Sequence, residues 1–170
     1  MFIPGHVPDD KAIKSQYKIS TMQTLTAQAT IQISRTPQEV YEAVTNPDMM
    51  RHYFIATGTG IMENGVTIEW SFPEFPGKFP VLVKEVRPFE YIAFDWSGGE
   101  PGQLVEIFLA AANDNATVIK VVEHEMQVTP EGILKMRGQT EGWANFLACM
   151  KAYLEYGIHL RKGAFDFMKQ

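Results

Sequence analysis

Apolar side chains recur at spacings that would bring them to one interior: Trp70 with Phe72, Phe94 with Trp96, and Trp143 with Phe146 and Met150. Residues two apart share a face of a strand, and residues three, four or seven apart share a face of a helix. Taken singly, each is an ordinary core residue. As a group they also fit an apolar small-molecule site. Three tryptophans facing one space are hard to pack without gaps, and aromatic walls with few polar groups are what such pockets present. Ala144, Ala148 and Ala152 add a stripe that either permits close backbone approach or leaves room.

His124 is the leading polar candidate and a weak candidate for catalysis. It follows Val118 and Val122 at even spacing and would share their face with Met126, where an imidazole could orient a ligand or move a proton near neutral pH. Ile119 and Val121 claim the opposite register, so a bulge near Val121–Val122 is expected and the facing of His124 stays open. A structural or surface histidine is the commoner outcome. Glu123, His124 and Glu125 cannot all meet one ion, because adjacent strand residues point to opposite faces. His6, His52 and His159 lack the HExxH spacing. No metal and no cofactor are expected. There is no GxSxG elbow, P-loop or GxGxxG, and Gly58-Thr59-Gly60 reads as a turn or strand edge. Asp95 should face outward, since it alternates with Phe94 and Trp96. Tyr41 and Tyr53 read as packing residues with wet hydroxyls, and the single Cys149 as a small buried one.

These residues need elements to hold them. TLTAQATIQIS, from Thr24, alternates and places Leu25, Ala27, Ala29, Ile31 and Ile33 on one face. Thr36-Pro37 starts a short helix to Val44, and Asn46-Pro47-Asp48 a second one running through Tyr53. Strand-like segments then alternate with turns at Glu63–Gly65, Glu74–Lys78, Arg87–Glu90, Gly98–Gly102 and Asn113–Asn115. Connections this short favour antiparallel neighbours. After Thr129-Pro130-Glu131 the period changes. Ile133, Met136, Trp143, Leu147, Met150 and Leu154 predict a long amphipathic helix, widened by Phe146 and Tyr153, with Gly163 as its stop. Gly138 and Gly142 could kink its first half at about 1 kcal/mol each relative to alanine.

The whole chain sets the bounds. Its 170 residues, 45% hydrophobic and 21% charged, describe one ordinary globular domain. We expect an N-terminal extension over 1–23, a domain over 24–163 and a C-terminal tail over 164–170. A net charge of −5 argues against a nucleic-acid partner. One cysteine excludes an internal disulfide framework and makes a reducing cytoplasm the default location. The start lacks a secretory pattern, and no window approaches the roughly 18 apolar residues that span a bilayer.

A long helix with a broad apolar stripe must bury it against the inner face of a curved antiparallel sheet. The expected class is α+β: a helix-grip fold, with two short helices closing one end. The opening IQISRTPQEVYEAVTNPDMMRHYF resembles the first strand and helix pair of START-like, Bet v 1-like (SRPBCC) proteins. The tail EGWANFLACMKAYLEYG resembles the terminal helix of their branch related to the activator of the heat-shock protein 90 ATPase. Arg51-His52-Tyr53 departs from the resemblance where many relatives have a tryptophan. The residues and the resemblance together leave three functional readings, the third resting on the resemblance alone. The first is binding of a hydrophobic or aromatic small molecule between sheet and terminal helix, through Trp70, Phe72, Phe94, Trp96, His124, Trp143, Phe146 and Met150. Trp143→Ala should then weaken binding more than folding. The second is cyclase- or dehydratase-type catalysis through His124 or a tyrosine. The third, ranked last, is partnership with a chaperone ATPase. A homodimer is open, and Phe165, Phe167 and Met168 could cover a cavity mouth or join a neighbouring chain.

Overall fold

The computed structural model describes residues 23–98 and 103–169. Apart from Gln23, the extension expected over 1–23 lies outside them. Strand β1 (Thr24–Ile33) is followed by helices α1 (Pro37–Thr45) and α2 (Pro47–Met50). Strands β2 (Thr57–Gly58), β3 (Thr67–Phe72), β4 (Phe75–Arg87), β5 (Tyr91–Asp95), β6 (Leu104–Asn113) and β7 (Ala116–Gln127) come next, followed by the long helix α3 (Pro130–Tyr156) and a short 3-10 turn (Asp166–Met168). The strands form one antiparallel seven-stranded sheet in the order β1-β7-β6-β5-β4-β3-β2. The fold is the helix grip. Among the described residues no helix is long and apolar enough to cross a membrane.

Local chemistry explains the ends of the elements. Thr36 and Glu39 form a reciprocal capping box, with Thr36 N–H donating to Glu39 Oε2 (2.8 Å) and Glu39 N–H to Thr36 Oγ1 (3.3 Å). Asn46 caps α2 through Oδ1, but this helix ends at Met50, short of the expected Tyr53. Tyr53 is fully buried and its hydroxyl donates to Ala43 O (2.7 Å), not to water as expected. The predicted turn at Glu74–Lys78 is shorter: β3 and β4 are joined at Pro73–Glu74, and β4 runs through Pro76 and Pro80. That part of β4 pairs with β3 alone, where a missing proline N–H costs no second ladder bond. Gly58, at the edge strand β2, is required by close approach. A Cβ there would stand 2.7 Å from Pro47 Cβ.

Helix α3 is continuous through Gly138 and Gly142. It stops at Gly157, not Gly163, because Gly157 takes the left-handed conformation (φ 66°) in which its N–H closes on Tyr153 O. Its buried side chains are Trp143, Phe146, Leu147, Cys149 and Met150, whereas Ile133 stays exposed. The helix packs mainly on β1 and β7. Ser34 N–H donates to Glu155 Oε1 (2.6 Å), and Lys151 Nζ bridges Glu155 and Gln32 O. Because α3 covers that side of the sheet, space remains between its first half and the β3–β4 hairpin.

Candidate functional site

That space is a cavity of about 430 Å³. The β3–β4 hairpin supplies Phe72, Glu74, Phe75 and Phe79, and the segment after α2 supplies Phe54. Trp96 follows the end of β5, while α3 contributes Gly138, Gln139, Gly142, Trp143 and Asn145. Arg161, Phe165 and Met168 come from the chain beyond α3, so part of the C-terminal tail borders the cavity. The two glycines lie on the cavity side, and a Cβ on either would meet nothing within 4 Å.

Behind this wall lies Glu123, with no exposed surface. Trp143 Nε1–H donates to Oε2 (2.7 Å) and Trp96 Nε1–H to Oε1 (3.4 Å), while Gln139 Nε2 reaches both oxygens at 2.9 Å. All three donors line the cavity, so one carboxylate fixes three wall residues. On the sheet it is flanked by Ala27 and Val105. Buried carboxylates are ordinarily matched by a cation, because desolvating an unpaired charge is costly. No Lys, Arg or His among the described residues pairs with this one.

The second charged feature is a true pair. Arg161 Nη2 donates to Glu74 Oε2 at 2.6 Å, and both side chains are largely buried. The guanidinium also lies over the Phe165 and Phe54 rings, at 4.8 and 5.8 Å from their centroids. Its Nε–H is buried and has no acceptor among the described residues.

The structure divides the predicted site residues into three groups. Phe72, Trp96 and Trp143 line the cavity. Trp70, Phe94, Phe146 and Met150 are buried in the core behind it, with Trp70 against Phe94 (5.3 Å) and Phe146 against Phe54 (4.7 Å). His124 belongs to neither group. It keeps the face of Val118 and Val122, but that is the outer face. There its Nε2 lies 2.7 Å from Glu106 Oε2, and Tyr91 Oη donates to Glu106 Oε1 at 2.5 Å.

The cause is the position of the bulge. Leu25 pairs with Met126 and Ala27 with Glu123, so two steps along β1 match three along β7. The extra residue therefore falls after Glu123, not at Val121–Val122. Ile119, Val121 and Glu123 face inward together, and Met126 returns to the core on the far side of the bulge. Asp95 lies at the end of β5, where it accepts from Ser97, and Cys149 is buried, which pushes its thiol pKa up. His52, at the departure from the family pattern, stacks on Tyr153 at 4.9 Å.

Sequence reasoning missed Glu123, Gln139, Arg161, Glu74, Phe54, Phe75 and Phe79 as site residues. The even step from Ile119 through Val121 to Glu123 was a usable signal. Gln139 lies one turn before Trp143 on α3. Nothing local marked Arg161, whose role depends on the chain turning back after Gly157.

A family model described as Activator of Hsp90 ATPase homolog 1-like protein matches residues 34–155. Among solved structures, protein SSP2350 from Staphylococcus saprophyticus has a TM-score of 0.71 at 23% identity, over 81% of this chain and 96% of its own. The Aha1 dimer from Colwellia psychrerythraea gives 0.67 at 22% identity, over 78% of this chain and 98% of its own. DynU16, from the dynemicin biosynthetic locus, gives 0.68 at 24% identity; this chain covers 78% of itself and 48% of that protein, about half its length. At these identities the likeness is one of fold. No curated protein matches the chain at a significant level.

Proposed function

Because the chain belongs to the Activator of Hsp90 ATPase homolog 1-like family, a branch of the START-like (SRPBCC) ligand-binding superfamily, we propose that it binds an apolar or aromatic small molecule between sheet and terminal helix. The observation that carries this reading is the cavity of about 430 Å³ walled by Phe54, Phe72, Phe75, Phe79, Trp96 and Trp143. An aromatic ligand burying roughly 200 Å² there would contribute about 5 kcal/mol before the costs of association. Gln139, Asn145, Glu74 and Arg161 are the polar groups available to orient it.

Catalysis draws less support. His124 is on the outer face, and Tyr53 commits its hydroxyl to Ala43. The chaperone-partner reading rests on the family description alone. Its test is whether the ATPase rate of the cognate chaperone changes on adding this protein. Self-association is an additional reading, prompted by the dimeric Colwellia psychrerythraea neighbour and measurable by sedimentation. A cytoplasmic location fits the lone cysteine.

Native mass spectrometry of protein freshly purified from cells tests the binding reading. A reproducible mass excess that disappears on denaturation is the expected result. An apo mass, together with no uptake of a small aromatic probe, would remove it.

A further inference from the structure

The cavity has an unbalanced charge. Arg161 and Glu74 neutralise one another at 2.6 Å, whereas Glu123 is held by two indoles and an amide with no cation among the described residues. Two carboxylates and one guanidinium leave a net negative interior. Burying a carboxylate without a cation is costly, and among the described residues only hydrogen bonds offset that cost here. Among the described residues, the side chains that hydrogen-bond Glu123 are all cavity-wall residues.

The indoles determine which ligand that charge would favour. Each donates its N–H to Glu123, which draws the ring's positive edge toward the carboxylate and leaves the ring faces the more electron-rich. Tryptophan is already the best aromatic seat for a cation, and rings of this kind are how proteins recognise quaternary ammonium groups. Trp96 and Trp143 stand 5.3 Å apart, tilted by 34°. No cationic side chain among the described residues lies over either ring. The cavity's own cation, Arg161, is seated elsewhere, on Phe54 and Phe165.

We infer that the ligand of this cavity is an apolar or aromatic molecule carrying a positive charge, a protonated or quaternary amine, seated against Trp96 and Trp143 with Glu123 as the buried counter-charge. The inference rests on the small-molecule reading above and specifies its chemistry. Glu123 does not touch the ligand. It is a positioning residue that acts through the two indoles.

Three probes of similar size separate the possibilities: benzyltrimethylammonium, neutral benzyl alcohol and anionic phenylacetate, titrated against the intact protein by calorimetry and tryptophan emission. The cation is expected to bind about tenfold tighter than the neutral probe, the order of a desolvated cation–π contact. In Glu123→Gln the ratio of cation to neutral affinity, measured within the variant, should fall from about tenfold to near parity. Trp96→Phe gives a second route should Glu123→Gln not fold, because its bond to Glu123 is the longest of the set. It retains an aromatic wall but should still lose a large part of the cation preference. Equal or tighter binding of benzyl alcohol or phenylacetate to the wild-type protein overturns the cationic class and leaves the small-molecule reading standing. The same holds for a preference that survives in Glu123→Gln. If none of the three binds, the cationic class fails, and the small-molecule reading fails with it when the freshly purified protein also shows an apo mass.

Discussion

Trp143 joins wall to core at the scale of the residue. It is 3% exposed, packs against Phe54, Phe146 and Trp96, and donates to Glu123. Trp143→Ala therefore cannot be the clean binding probe that sequence suggested. Truncating a buried aromatic costs about 3–5 kcal/mol, and here a carboxylate would also lose its shortest bond. Urea denaturation should show that loss as a lower midpoint. On the opposite face, Tyr91 has its pKa raised to about 12 by burial, then by its bond to Glu106 and the negative charges of Glu106 and Glu85, which outweigh the opposing Arg87. The folded protein thus holds the phenolic proton more tightly than the unfolded chain does. The stabilisation is present below the ordinary value near 10 and is lost as pH rises through about 12. Fully buried Tyr53 is also held well above the ordinary tyrosine value, so absorbance titration of Tyr91→Phe should lose the late phase near pH 12 and keep the still later one. The aromatic alternation was legible because neighbours two apart must share a strand face. The facing of His124 was not, since a bulge moves every later side chain across the sheet and only cross-strand pairing locates it.

Helix α3 illustrates what an element adds. Its three interior glycines look alike in sequence and differ in surroundings. A Cβ on Gly132 would collide with the Gln127 carbonyl, whereas Gly138 and Gly142 face open space. Gly132→Ala should cost about 1–3 kcal/mol as an overpacked contact. Gly138→Ala and Gly142→Ala should each stabilise by about 0.5–1 kcal/mol, the ordinary gain from removing helical glycine. Thermal unfolding of the three variants checks both signs. Thr129-Pro130 and the Trp143–Met150 stripe gave away the start and the buried half of the helix. The stop was misplaced because two glycines, Gly157 and Gly163, both adopt positive φ and local sequence does not say which the helix reaches in register.

At the scale of the molecule, the order of strand, short helices, strand series and terminal helix left little choice of fold. An apolar stripe on α3 had to meet the inner face of a sheet whose short connections make it antiparallel. The cavity was harder to foresee. It arises because α3 sits on β1 and β7, leaving the hairpin of Phe72 and Phe75 to curl across empty space, and because the chain after Gly157 returns to place Arg161, Phe165 and Met168 at its border. Phe167, by contrast, stays 83% exposed. Those contacts join residues far apart in sequence, so no local pattern announces them.

The central claim is that ligands enter between α3 and the β3–β4 hairpin. Gly142 tests it most directly, since it lines the cavity and a Cβ there would meet nothing within 4 Å. Titrating 1-naphthol into the wild-type protein and Gly142→Phe, and following tryptophan emission, gives one comparison on folded proteins. The account predicts a saturable change in the wild type and at least about a tenfold loss of affinity in the variant, the effect of filling the volume a ring would occupy. Superimposable curves would contradict it.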